Sequence, residues 1–380
     1  MNNKKIAIFI SSLASGGAER QTSILLKNLS SICSVTLVLM NDTIFYDIPK
    51  NIDIVYLENS SPNESGFKKL IKLPFLGWKY KKICKSKNID LSFSLLNRPN
   101  YINIFSKLFG NKATIAIGER SMPSLQYKSG IQGFINRMLI KTLYGKADIV
   151  LANSYGNSKD LEQNFKCKDV KTIYNSIDIN AIQKKASEKV EFRDDAFSFI
   201  TIGRLDQGKN HLLMIEAMQD MDAKLYIIGD GELREFLEKR VKQLQLDDKV
   251  FFLGRQENPF AYLKQADCFV FSSNNEGLPN VLLEALACVL PIISTDCQSG
   301  PREILAPDSD FSFQLQDGIE IAKFGILVPV QNKPLLVKVM HKIMTDKQLR
   351  NEYKQAALQR AKDFDVNKIT KQYKEILCVE

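Results

Sequence analysis

Histidine and tryptophan are nearly missing: 380 residues hold two histidines and a single tryptophan. The seven cysteines, Cys33, Cys84, Cys167, Cys268, Cys288, Cys297 and Cys378, form no C-x-x-C pair. Without such pairs, and with so few imidazoles, a zinc site lacks a ligand set, and an odd number of dispersed thiols points to a reducing, cytosolic compartment. No apolar run approaches the roughly 18–20 residues needed to cross a bilayer. The first apolar segment is short, follows two lysines and enters a glycine turn directly, so no secretory leader is expected. Internal repeats are lacking. So is the G-x-G-x-x-G turn of a nicotinamide dehydrogenase.

What is present is an uneven charge. Residues 1–178 carry 25 Lys and Arg against 13 acids, and the remainder 27 against 30, which together give the net +9. Only the first half is therefore expected to meet a polyanion. The length suits two domains. Short apolar runs alternate with amphipathic ones, the pattern of parallel α/β architecture. Strands are expected at 6–10, 35–40, 52–57, 91–95, 113–117 and 149–152. A second series is expected at 197–202, 224–228, 250–253, 268–272, 291–294 and 326–328, with a polar linker from Tyr174 to Asp195 between the two. Two such series predict doubly wound, Rossmann-like domains facing each other across a cleft: residues 1–178, joined by a returning C-terminal helix at 365–380, and residues 179–364. Ligands of such sheets bind beyond the strand carboxyl ends.

Three segments at those ends carry chemistry. Ser15-Gly16-Gly17-Ala18-Glu19-Arg20 opens a helix after the first strand, where glycines admit a close ligand and the helix start favours an anion; a tight turn is the plain alternative. Gly203-Arg204-Leu205-Asp206-Gln207-Gly208-Lys209-Asn210 follows the first strand of the second series. Arg204 and Lys209 are suited to converge on a diphosphate and stabilise a leaving nucleotide, unless both are merely solvated. Glu276-Gly277-Leu278-Pro279-Asn280 follows a buried strand. Pro279 fits a first helical turn, the backbone of Gly277, Leu278 and Asn280 can meet phosphate, and Glu284 lies two turns beyond Glu276.

Together with Gly229-Asp230-Gly231-Glu232-Leu233-Arg234, these segments resemble, in order and over nearly the whole chain, the family-4 retaining glycosyltransferases of the GT-B fold, of the type that assembles bacterial surface polysaccharide or lipid-linked oligosaccharide. The resemblance implies a retaining, metal-independent hexosyltransferase that moves a hexose or N-acetylhexosamine from a nucleotide diphosphate-sugar, UDP-linked by family habit, to a saccharide acceptor carried on a lipid diphosphate. It implies Arg204 and Lys209 on the donor diphosphate, Glu284 on the ribose, Glu276 on the donor sugar, backbone near Arg255 and Gln256 at the base, and Gly16 and Gly17 bordering phosphate and acceptor. It also implies no cofactor. Many relatives place a first-domain histidine near the sugar, whereas this chain has only His211 and His341. Gly118-Glu119-Arg120 is similar to a subset with Glu-Arg in that loop, so Glu119 or Arg120 is the expected sugar or acceptor contact, a surface salt bridge being the alternative. A nucleotide-sugar epimerase or a non-catalytic nucleotide-sugar-binding protein shares the architecture.

Two further stretches stand out. Asp308-Ser309-Asp310 has the spacing of a metal motif, yet lies in a polar loop where two acids coincide often; no metal is expected there. Lys68, Lys69, Lys72, Trp78, Lys79, Lys81 and Lys82 fall in a segment with no acid between Glu64 and Asp90. Lysines among interfacial aromatics suit an anionic bilayer, although a charge run is commonly just a solvated face. The expected setting is the inner face of the cell membrane, with the protein held peripherally. No motif supports nucleic-acid binding.

Overall fold

The computed structural model describes residues 4–58, 64–192 and 194–378. The chain divides into two compact units, one running up to Ser176 and resuming at Val366, the other Ile177–Asp365.

The first unit holds a parallel sheet of β1 (Lys5–Ile10), β2 (Ser34–Leu39), β3 (Asp53–Tyr56), β4 (Leu91–Leu95), β5 (Thr114–Glu119), β6 (Ile149–Ala152) and β7 (Lys171–Thr172). Their order is β3-β2-β1-β4-β5-β6-β7. The order reverses between β1 and β4, so the crevice beyond their carboxyl ends is where this architecture accepts a ligand. Leu91-Ser92-Phe93-Ser94-Leu95 alternates like a half-exposed strand, yet all five residues are buried. The serines are satisfied from helix Asn97–Leu108: Ser92 Oγ donates to Asn103 Oδ1 at 2.8 Å and Ser94 Oγ to Asn100 Oδ1 at 2.8 Å. Burying polar groups this way avoids the desolvation penalty of unpaired hydroxyls. Helix Val366–Leu377 places Ile369, Tyr373 and Leu377 in the same core as β1 and helix Gly17–Leu29.

The second unit repeats the plan with β8 (Ser198–Ile202), β9 (Lys224–Ile228), β10 (Val250–Gly254), β11 (Cys268–Phe271), β12 (Ile292–Thr295), β13 (Glu320–Ala322) and β14 (Gly325–Val328). The order is β10-β9-β8-β11-β12-β14-β13, with β13 antiparallel to β14 and the reversal between β8 and β11. The edge strands β7 and β13 were not expected, because neither has an apolar run. The polar stretch expected as a linker is partly helical. Helix Ile179–Ala186 is capped by Asp178, whose carboxylate accepts the Ala181 N–H at 2.9 Å. It buries Ile179, Ile182 and Ala186, a spacing the surrounding charges obscured.

Candidate functional site

At the reversal of the second sheet, the loops after β8 and β11 are laced together. Ser272 Oγ donates to the carbonyls of Lys209 and Asn210, each at 2.9 Å, and the Asn274 N–H donates to the Gly208 carbonyl at 2.8 Å. This lacing brings the Lys209 ammonium onto the Glu276 carboxylate. Asp206 organises the cations: its carboxylate accepts the Lys209 N–H at 3.0 Å and lies 4.0 Å from the Arg204 guanidinium. The Arg204 side chain is 73% exposed, held only at that distance. A half-buried ammonium, an exposed guanidinium and a mostly buried carboxylate thus sit within one loop pair. Such a set can bind an anion and hydrogen-bond hydroxyls beside it.

Glycines make the approach possible. Gly229 has φ +140, and a Cβ there would overlap the Gly203 carbonyl; a Cβ on Gly231 would come within 2.5 Å of the Leu205 carbonyl oxygen. The Leu205 N–H donates to the Asp230 carbonyl at 3.1 Å. The turn after β9 therefore braces the one after β8. His211, behind Gly203, is buried with its Nδ1 unpartnered among the described residues. Burial, with the Lys209 charge adding to it, lowers its pKa to about 4, so it is neutral. No signal in the sequence singled out Asp206 or His211; both became visible only through what surrounds them.

The helix after β11 spans Asn280–Ala287, with Pro279 at the N-cap. Pro279 is thus one residue ahead of the helix, a correction to the expected first-turn position. Glu276 lies in the loop, so the helical phase relating it to Glu284 does not apply; loop geometry places it instead. Glu284 is buried on the helix. Gly277 and Leu278 are buried beneath Gly300, where φ is +93 and a Cβ would meet Pro279 Cδ at 2.5 Å. Ser299 Oγ donates to the Gly277 carbonyl at 2.8 Å. After β10, Gln256 donates to the Leu253 carbonyl at 2.6 Å and accepts from the Tyr262 hydroxyl at 2.9 Å, whereas Arg255 is exposed.

Asp308 pairs with Lys323 at 2.9 Å, and Asp310 accepts from the Ser312 N–H and hydroxyl, so both acids have structural partners. The polar loop is anchored by a group not foreseen: buried Arg302 pairs with Asp296 at 2.6 Å and with Glu320 at 2.8 Å.

In the first unit Gly16 is the N-cap of helix Gly17–Leu29, its carbonyl accepting the Tyr46 hydroxyl at 3.3 Å. Glu119 ends β5 and is 1% exposed. It accepts the Tyr144 hydroxyl at 3.0 Å and the Arg120 N–H at 2.9 Å. Burial pushes its carboxyl above the usual carboxylate range against those hydrogen bonds. Arg120 donates instead to Asn175 Oδ1 and to the Tyr373 hydroxyl, each at 3.0 Å. A surface salt bridge between them is overturned: Glu119 is buried and Arg120 has turned to other partners.

The basic segment forms helices Gly66–Ile71 and Leu73–Lys87. Not all of its lysines are free to reach a headgroup. Lys72 is neutralised by Glu58, at 2.8 Å, and by Glu64, while Lys79 and Lys81 donate to the carbonyls of Leu57 and Phe109. Lys82 lies 3.5 Å over the Trp78 ring.

The family described as glycosyl transferases group 1 matches residues 182–360. Over 373 residues the chain is 42% identical to the N-acetylgalactosamine-N,N'-diacetylbacillosaminyl-diphospho-undecaprenol 4-alpha-N-acetylgalactosaminyltransferase of Campylobacter jejuni, covering 97% of this chain and 98% of that protein. It is 28% identical to a second Campylobacter jejuni protein, GalNAc-alpha-(1->4)-GalNAc-alpha-(1->3)-diNAcBac-PP-undecaprenol alpha-1,4-N-acetyl-D-galactosaminyltransferase, with 98% of each covered. Among solved structures, sucrose-phosphate synthase of Thermosynechococcus elongatus superposes with a TM-score of 0.82 at 18% identity, covering 98% of both chains. Anabaena HepE in complex with UDP gives 0.77 at 19% identity, covering 98% of this chain and 99% of that one, and like the first it bears on the fold alone.

Proposed function

The chain belongs to the group 1 glycosyl transferases, with the GT-B fold, and from that premise we propose that it transfers N-acetylgalactosamine, with retention, from a UDP-linked donor to a saccharide on undecaprenyl diphosphate. The sugar and carrier are suggested by the printed activity of the 42% identical relative. The observation that carries the chemical reading is the Lys209–Glu276 pair at the reversal of the second sheet.

In this reading Lys209 and Arg204 bind the donor diphosphate, Glu276 accepts hydrogen bonds from sugar hydroxyls, and Glu284 accepts from the ribose. The backbone of Gly203, Gly277, Leu278 and Asn280 approaches phosphate, with Pro279 fixing the turn, and Arg255 and Gln256 border the base. Gly16 and Gly17, at the helix start after β1, are assigned to the acceptor. As the anomeric C–O bond breaks, its electron pair leaves with the diphosphate, and the two cations stabilise that charge. The acceptor hydroxyl oxygen bonds to the anomeric carbon and gives its proton to the departing diphosphate. Because those cations supply the neutralisation, we propose that no metal is needed. Arg120, through Asn175 and Tyr373, holds the loop in place as a positioning residue, and Glu119 anchors it from beneath.

Among the described residues no helix is long and apolar enough to cross a membrane. Contact with the inner membrane face is assigned to Lys68, Lys69, Trp78 and Lys82. An epimerase or a binding protein is not favoured, since the matched relatives are named as transferases. The test is release of UDP from UDP-N-acetylgalactosamine with and without the undecaprenyl-linked saccharide. Acceptor-dependent release is expected; epimerised sugar with no dependence on acceptor would refute the proposal.

A further inference from the structure

The chain's positive charge is concentrated in one stretch. Residues 65–147 contain sixteen Lys and Arg against two acids, Asp90 and the buried Glu119, while the rest of the chain holds 36 cations against 41 acids. Helices from this stretch form one layer over the first sheet. Leu73–Lys87 meets Asn97–Leu108 closely enough that a Cβ on Gly77 would lie 2.5 Å from Phe105 Cβ. Asn97–Leu108 meets helix Gly130–Leu143 where the Tyr101 hydroxyl donates to Asn136 Oδ1 at 3.0 Å. At the start of the layer, Gln132 lies against Gly66, 3.8 Å from where its Cβ would be.

Helix Gly130–Leu143 is not an ordinary amphipathic helix. It buries Gly133, Ile140 and Leu143, and on its outer side it exposes Ile131 (82%), Phe134 (66%) and Met138 (47%). Positions i, i+3 and i+7 make one apolar stripe. Exposed Arg137 and Lys141 flank it, and the helix contains no acid. Phe67, Ile71, Phe75 and Trp78 are exposed in the same way on the neighbouring helices, Phe75 and Trp78 stacked at 6.1 Å.

We propose that helix Gly130–Leu143 is a second membrane-inserting element, and that with Phe67, Ile71, Phe75 and Trp78 it seats this helical face of the first unit in an anionic bilayer. Elsewhere in the layer Lys72 and Arg98 are paired with Glu58 and Glu64, and Lys87 with Asp53, but helix Gly130–Leu143 carries its apolar stripe beside Arg137 and Lys141 with no acid, which matches the interfacial zone of such a bilayer. A second copy of the chain fits poorly, because it would set two faces of strong positive charge against each other. The inference stands apart from the acceptor assignment, because it is tested on vesicles that contain no acceptor.

The full chain and its Ile131→Ser, Phe134→Ser, Met138→Gln triple variant are sedimented with phosphatidylcholine vesicles, with and without phosphatidylglycerol. Binding to the anionic vesicles is expected to fall at least about tenfold in the variant, while the thermal shift given by UDP stays unchanged. Undiminished binding, or wild-type binding equal on neutral and anionic vesicles, overturns the proposal. In a Trp78→Phe, Phe134→Trp variant the sole indole reports insertion directly: a blue-shifted emission on anionic vesicles supports it, and an unshifted one contradicts it. Loss of dimers in the triple variant with vesicle binding intact would assign the stripe to self-association and also overturn it.

Discussion

Lys209 and Glu276 lie 67 positions apart in the chain and meet only because Ser272 and Asn274 bind the loop that holds the lysine. Replacing either by alanine should cut transfer at least about a hundredfold, the scale of losing one stabilising donor in a transition state. Lys209→Ala should also weaken binding of free UDP, whereas Glu276→Ala should leave UDP binding within about twofold, since the carboxylate is assigned to the sugar; calorimetric titration separates the two. Their residue types and their places after strands were readable in the sequence. His211 was not, because its burial behind Gly203, whose Cβ would lie 3.3 Å from the imidazole, is a product of the folded turn and not of any local pattern. Its folded pKa, about 4, lies below the unfolded 6.5. The unfolded chain therefore takes up a proton first as pH falls, and stability present above pH 6.5 is lost on the way down. Between pH 7 and 5 this one group should remove about 2 kcal/mol. The difference between wild type and His211→Gln in urea unfolding should show that slope; parallel curves would contradict it.

At the scale of elements, the turns that brace the site are set by missing side chains. Gly229→Ala must push against the Gly203 carbonyl at a φ that suits glycine, so it should cost about 2 kcal/mol or more and weaken UDP binding with it. Gly145→Ala, where a Cβ meets nothing within 4 Å, is the control and should be nearly neutral. Arg302→Met should cost about 3–5 kcal/mol by leaving Asp296 buried without its cation. Adding Asp296→Asn should recover much of that in chemical unfolding, and a simply additive double variant would argue against a coupled pair. The long apolar strands were legible because burial on both faces demands unbroken hydrophobic runs. The two-residue β7 and the antiparallel β13 were not, because pairing at a sheet edge asks little of their side chains. Helix Ile179–Ala186 was obscured for a related reason: its three buried positions sit among lysines, so composition spoke for a linker where period spoke for a helix. Pro279 misled by one residue because a proline is equally at home at the cap and in the first turn.

For the whole molecule, the C-terminal helix returns to the unit with which the chain began. Removing residues from Val366 onward strips Ile369, Tyr373 and Leu377 from the first core, a loss of about 5–9 kcal/mol at roughly 1.5–3 per buried side chain. Arg120 loses the Tyr373 hydroxyl as well. Thermal unfolding of the truncated chain should show the first unit melting early and the second near its original temperature; one unshifted transition would contradict this. The first-half charge was legible from counting. Its confinement to one helical layer, and the capture of Lys72 by Glu58 and Glu64, depend on folding. If Arg204 and Lys209 neutralise the diphosphate unaided, EDTA should leave the transfer rate within about twofold, and a loss restored by a divalent cation would refute that part of the account. The most direct measurement of all is proton NMR of the saccharide formed from UDP-N-acetylgalactosamine and the undecaprenyl-linked acceptor. The account predicts a new α-anomeric signal that appears with wild type and is lost with Lys209→Ala. A β-linked product, or α product formed at the same rate by that variant, would contradict it.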